Sequence, residues 1–167
     1  GRNLVPQSNI RIDTNLLYLP FRLKVLALLA DLDAAGRHFF VTSGYRGEYE
    51  QNELYAKGRT TPGPKVTNAR FGYSTHNFGL GIDVTHDSDI AKAGLQPDWK
   101  ESNYEGLGIV AKKHGLIWGG HWQSLKDLPH FEFDLKALGL TLSDLRTIYS
   151  KDKLPGVWKL IDAASKG

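Results

Sequence analysis

Two short stretches constrain the fold of this chain more than any other part of it. In Gly81-Ile-Asp-Val-Thr85 the apolar Ile82 and Val84 alternate with Asp83 and Thr85. In His130-Phe-Glu-Phe-Asp134 the two phenylalanines alternate with His130, Glu132 and Asp134. Successive side chains of a strand point to opposite faces, so each stretch reads as a strand with one face in a core and ionisable groups on the other. Asp83 and His130 therefore face away from the apolar side.

The elements that would cover the apolar face are also readable. Val25, Leu26, Leu28, Leu29, Leu32 and Ala35 follow Pro20 at helical spacing, and Gly36 supplies a stop. His38 to Ser43 suits a strand ending at the Ser43-Gly44 turn signal, and Glu48 to Lys57 suits a helix with Tyr49, Leu54 and Tyr55 as core contacts. A helix is expected over Tyr104 to His114, a segment carrying Leu107, Ile109 and Val110, with Gly115 as terminator. Two more helices are expected, one capped at Thr141 with Asp144 three residues on, and one beginning near Pro155. The fold class that follows is α+β: a small, mostly antiparallel sheet bearing the site, packed by helices. No repeat, low-complexity tract or linker interrupts residues 1–167, which read as one domain with the C-terminal helices packed on it.

Composition removes several classes of function. With no cysteine, disulfide scaffolds, thiolate zinc sites and cysteine nucleophiles are excluded, and any metal must sit on His, Asp or Glu. The formal charge of +3 favours anionic surfaces such as wall polymers, but the basic residues are scattered and form no nucleic-acid motif. The longest apolar run, around Leu26 to Ala30, is too short to span a bilayer, and Gly1 to Asn9 lack the apolar core of a secretory signal. The expectation is a soluble, monomeric protein.

The chemistry concentrates in two places. Ser74-Thr-His76-Asn-Phe-Gly79-Leu-Gly81-Ile-Asp83 sets an imidazole at the end of the Arg59–Thr75 loop and a carboxylate on the following strand; Asp127-Leu-Pro-His130 sets a second carboxylate beside a second imidazole. Two imidazoles and a carboxylate form a common catalytic zinc set, leaving a position open for water, and His76, Asp83 and His130 fit it. Asp127 remains free to act as general base. Pro129 stiffens the backbone between Asp127 and His130. No helical His-Glu-x-x-His element is present. His38, His86 and His114 read as surface or structural residues, and His86-Asp87-Ser88-Asp89 as a solvated turn rather than a calcium loop.

The ordered set Ser43-Gly-Tyr-Arg46, SxHxxGxxxD from Ser74 to Asp83, Trp118-Gly-Gly, and DxPHF from Asp127 to Phe131 resembles the family of zinc D-alanyl-D-alanine carboxypeptidases, vancomycin-resistance dipeptidases and L-alanyl-D-glutamate endopeptidases. The match spans roughly Phe39 to Phe133. Within the family, Gln51 to Thr75 looks most like the endopeptidase branch of phage endolysins and related wall hydrolases. The resemblance implies Zn2+ as cofactor, bacterial peptidoglycan as partner, and a cut between L-alanine and D-glutamate. It also implies an endolysin's setting, in the host cytoplasm until release and then at the wall or periplasm. Arg46 would stabilise charge on the scissile carbonyl oxygen. Ser74 would orient a ligand or bond the substrate, with Tyr45, His121 and Trp122 as further substrate-side candidates. Where relatives often carry Asp after Trp-Gly-Gly this chain has His121, which leaves that position's role open. The alternatives are a D-alanyl-D-alanine carboxypeptidase or dipeptidase, and a non-catalytic zinc-containing wall-binding module.

Overall fold

The computed structural model describes residues 9–166; Gly1–Ser8, most of the stretch expected to lack a signal core, and Gly167 lie outside the described residues. Helix α1 (Leu19–Ala34) opens with Pro20 in its first turn, where a missing N–H leaves no hydrogen bond unmade, and buries Phe21, Val25, Leu28, Leu29 and Leu32. Strand β1 (Phe39–Ser43) leads to α2 (Glu48–Ala56). After the long loop come β2 (Gly81–His86), α3 (Leu107–Lys113), β3 (Leu116–Trp118), β4 (His130–Phe133) and α4 (Leu142–Ser165). The sheet order is β1-β2-β4-β3, antiparallel at every pairing, so the fold is α+β.

The alternation of β2 and β4 does what its pattern demands. Ile82, Val84, Phe131 and Phe133 join Phe21 and Leu28 of α1, Leu107 of α3, and Leu145 and Ile161 of α4 in one buried cluster. The helix expected from Pro155 exists as the second half of α4, which breaks at Lys153 (φ 55°) just before the proline. Thr141 and Asp144 form the expected reciprocal cap. Among the described residues no helix is long and apolar enough to cross a membrane.

Three details depart from expectation. Strand β3 has no counterpart in the sequence reading, because Leu-Ile-Trp is too short to display a period. Helix α3 begins only at Leu107, since Gly106 takes a left-handed conformation (φ 77°) after a 3-10 turn over Glu101–Tyr104, and Ile109 consequently points to solvent, 78% exposed. In α2 the buried residue is Gln51 rather than Tyr49, which is 79% exposed.

Gln51 is buried because the loop beneath it needs hydrogen-bond partners. Its Nε2 donates to Ala69 O at 2.7 Å, and its Oε1 accepts from Asn77 Nδ2 at 3.1 Å. Asn77, fully buried, also donates to Arg46 O and accepts from the backbone N–H of Gly72 and Ser74. A buried backbone polar group left unpaired is costly, so two amide side chains organise the irregular chain on either side of the 3-10 turn at Thr75–Phe78. Replacing Asn77 with Ala strips partners from several buried groups at once and is expected to lower the free energy of unfolding by about 3 kcal/mol, read from urea denaturation at unchanged m-value. A change within about 0.5 kcal/mol, the scatter of ordinary surface substitutions, would contradict this role.

Candidate metal centre

Asp83 of β2 and His130 of β4 are direct cross-strand partners in the antiparallel ladder. Residues so paired project from the same face with their Cβ atoms close together. His76 arrives from the 3-10 turn at Thr75–Phe78, which Ser74 caps by accepting from His76 N at 3.2 Å. Gly81 lets that turn pass close to the sheet, since a Cβ there would run into Thr75 Oγ1 and stand 3.1 Å from His130 Cε1.

The three residues offer one ligand atom each, all within 4.8 Å of one another. His76 Nε2 lies 3.4 Å and His130 Nδ1 3.2 Å from Asp83 Oδ1. Tetrahedral zinc with bonds of about 2.0–2.1 Å separates its ligand atoms by about 3.3–3.4 Å, so the donor set fits such an ion.

Each imidazole is turned by a partner on its other nitrogen. His76 Nδ1 lies 2.7 Å from Gly44 O, and since a carbonyl only accepts, Nδ1 carries a hydrogen and Nε2 is left as the nitrogen turned toward Asp83. His130 Nε2 lies 2.8 Å from Glu132 Oε1, which turns Nδ1 toward Asp83. Such orienting partners are a regular feature of metal-ligating histidines. Glu132 shares the face of His130, and the sequence signal for its role is their two-residue spacing on one strand.

Charge is set by the same contacts. Burial disfavours ionisation of Asp83, yet hydrogen bonds from His130 and His76 hold its carboxyl well below the usual range. Burial likewise disfavours a charged His130, but hydrogen bonds to Asp83 and Glu132 outweigh it and raise the imidazole to about 9. Arg46 Nη2 donates to the other Asp83 oxygen and to Ser43 Oγ, both at 3.1 Å.

Asp127 stands on a tightly held turn. Its N–H donates to Gly119 O at 3.0 Å, and its carbonyl accepts from His130 N at 3.2 Å. Trp118 Nε1 donates to Leu128 O at 2.7 Å, and Pro129 O accepts from Val84 N at 2.9 Å. The Trp-Gly-Gly segment is part of this fit: a Cβ at Gly119 would lie 2.5 Å from Asp127 O and 3.2 Å from His130 Cβ. Burial and the nearby Asp83 charge push the Asp127 carboxyl up, which makes it a better proton acceptor.

All of these groups open on one cleft of about 910 Å³, lined by Arg46, Ser74, Asp127 and Trp122 as well as the triad and Glu132. Tyr45 and His121 are not among its lining residues. His121 packs edge-on against Trp118, 4.9 Å between ring centroids, in the space left by Gly108. The Tyr45 ring lies against Gly47.

A family model described as D-alanyl-D-alanine carboxypeptidase matches residues 67–133, the segment holding the triad and Asp127. Over that segment the chain is similar to this peptidase family. Among its relatives, the peptidoglycan L-alanyl-D-glutamate endopeptidase CwlK of Bacillus subtilis (strain 168) is 40% identical over 116 residues, covering 64% of this chain and 66% of that protein, just under two thirds of its length. The fold is shared with the Serratia marcescens L-Ala D-Glu endopeptidase ChiX, with a TM-score of 0.55 and 22% identity over 76% of this chain and 87% of that one. It is also shared with VanYB in complex with D-alanine-D-alanine, with a TM-score of 0.53 and 18% identity over 87% and 93% of the two chains.

Metal and proton compete for His130. Its raised pKa stabilises the metal-free fold fully below about 6.5, the ordinary histidine value, and that contribution is lost as pH rises through about 9. Zinc affinity is accordingly expected to climb by up to about tenfold per pH unit between about 6.5 and 9, measured by competition with a chelator. Glu132→Gln should flatten that slope and weaken binding by about 10–100-fold at the alkaline end. A pH-independent affinity, or an unaffected variant, would contradict the assignment of His130 and Glu132.

Proposed function

We propose that the protein is a zinc-dependent peptidase that hydrolyses bacterial peptidoglycan stem peptides between L-alanine and D-glutamate. The observation that carries the reading is the convergence of His76 Nε2, Asp83 and His130 Nδ1, each imidazole already turned by its own partner, in a cleft shared with Asp127 and Arg46. Support for the bond comes from the identity to CwlK and from the endolysin-like stretch Gln51–Thr75. Support for zinc comes from the family and the all-nitrogen-and-oxygen donor set.

Zinc held by the triad would supply Lewis acidity, stabilising charge on a carbonyl oxygen and acidifying water at neutral pH. Asp127, its carboxylate made more basic by burial, takes the proton from the attacking water and passes it to the departing amine nitrogen. Arg46, hydrogen-bonded to Asp83, sets a fixed cation in the cleft wall, where it stabilises charge developing on the scissile oxygen. Ser74 acts by positioning, through its cap on the turn that carries His76. The endolysin setting, with release from the host cytoplasm to the wall, belongs to this reading and rests on the resemblance of Gln51–Thr75 alone.

The second reading, a D-alanyl-D-alanine carboxypeptidase, is favoured by the description of the family model. A binding module without turnover would have no use for Asp127 and Arg46 on the same cleft. Mass spectrometry of peptidoglycan fragments digested by the zinc-loaded protein separates all three. New amino-terminal D-glutamate is expected, with Asp127→Ala slower by about 10²–10⁴-fold. Released D-alanine would transfer the chain to the carboxypeptidase reading, and zinc binding without cleavage would overturn both.

A further inference from the structure

The cleft is lined by three cations, Arg46, Lys126 and Lys136, and three carboxylates, Asp83, Asp127 and Glu132. With the histidines neutral these charges balance, so a divalent ion in the triad leaves the lining net positive and suited to an acidic peptide. The cations are not equivalent. Arg46 is committed to Asp83 and Ser43, whereas the ion pairs formed among the described residues involve neither lysine.

Lys126 is distinguished by its neighbours. It precedes Asp127, so its Cα stands about 3.8 Å from that of the general base. It follows Leu125, which adopts φ 55°, a left-handed conformation that is costly for a branched residue other than glycine. Leu125 gains no burial from that strain, being 69% exposed. The strained turn instead brings Leu125, Lys126 and Asp127 together onto the cleft wall. Strain of this kind concentrates where a binding site must be held in shape.

The substrate chemistry asks for a cation at that place. When a glutamate supplies the scissile nitrogen and the peptide continues through its γ-carboxyl, its α-carboxylate sits on the carbon that bears that nitrogen. The charged oxygens are thus three bonds from the scissile nitrogen, and a group reading them must stand beside the catalytic groups. We propose that Lys126 pairs with this α-carboxylate, so that the cleft selects stem peptides whose second residue keeps a free α-carboxylate over those in which it is a primary amide. The proposal rests on the L-alanyl-D-glutamate reading and names the feature of that substrate which the site recognises.

The test reads binding, so that it stands apart from turnover. Zinc-loaded Asp127→Ala protein is titrated calorimetrically with L-alanyl-γ-D-glutamyl-L-lysine and with the same peptide carrying an α-carboxamide. The carboxylate peptide is expected to bind at least about tenfold tighter, the scale of a charge-assisted hydrogen bond. Adding Lys126→Gln should bring the two affinities within about twofold by weakening only the carboxylate peptide, and adding Lys136→Gln should leave the gap in place. Equal affinities for the two peptides, equal weakening of both by Lys126→Gln, loss of the gap in Lys136→Gln, or no binding of either peptide would each overturn the proposal. Wild-type protein that keeps the binding gap but releases D-alanine from wall fragments would instead overturn the assignment of the cleaved bond.

Discussion

An ionised carboxylate whose side chain is only 24% exposed must be compensated, and Asp83 is compensated by groups from three separate parts of the chain. His130 reaches it through the β2–β4 register, His76 through a capped 3-10 turn, and Arg46 through the loop between β1 and α2. Each of these is held in turn. Glu132 and Gly44 O fix the two rings, while Asn77 joins Arg46 O to Gln51 of α2. Cross-strand geometry, the irregular loop and the helix that covers it all meet at this one charge.

The same arrangement explains why the site is rigid where chemistry needs precision and open where substrate must enter. The triad histidines are almost fully buried and face a sheet backed by Ile82, Val84 and Phe131, so their positions follow from a packed core. Asp127 lies on a loop, but that loop is fastened through Gly119, Trp118 and Val84, which leaves its backbone little freedom. Val66, Asn68 and Leu125 on the cleft wall remain exposed.

Much of this was legible in the sequence because the relevant signals are local. Period-two alternation identified β2 and β4 and the faces of Asp83 and His130, and the Thr141–Asp144 cap and Pro155 identified the two halves of α4. What was not legible depends on tertiary context. β3 exists because β4 offers it an edge, and Gln51 is buried because a loop from elsewhere in the chain presents unpaired backbone groups. Helical spacing favoured Tyr49 for the core and started α3 at Tyr104, but it cannot see a polar network or a left-handed glycine such as Gly106. Alternation sets Glu132 on the same face as His130, but only the structure shows which nitrogen of His130 it engages. His121 took its candidacy from its place after Trp-Gly-Gly, and the packing of its ring on Trp118 keeps it outside the cleft lining.

In the proposed site one metal ion sits between His76 Nε2, Asp83 and His130 Nδ1, with Glu132 outside it. Diffraction from crystals of the zinc-loaded protein, recorded on both sides of the zinc absorption edge, locates that ion. One strong anomalous peak is expected about 2.0–2.2 Å from those three ligand atoms and beyond bonding distance of Glu132. A peak bonded instead to Glu132 or Asp127, or no peak within reach of His76 and His130, would contradict it.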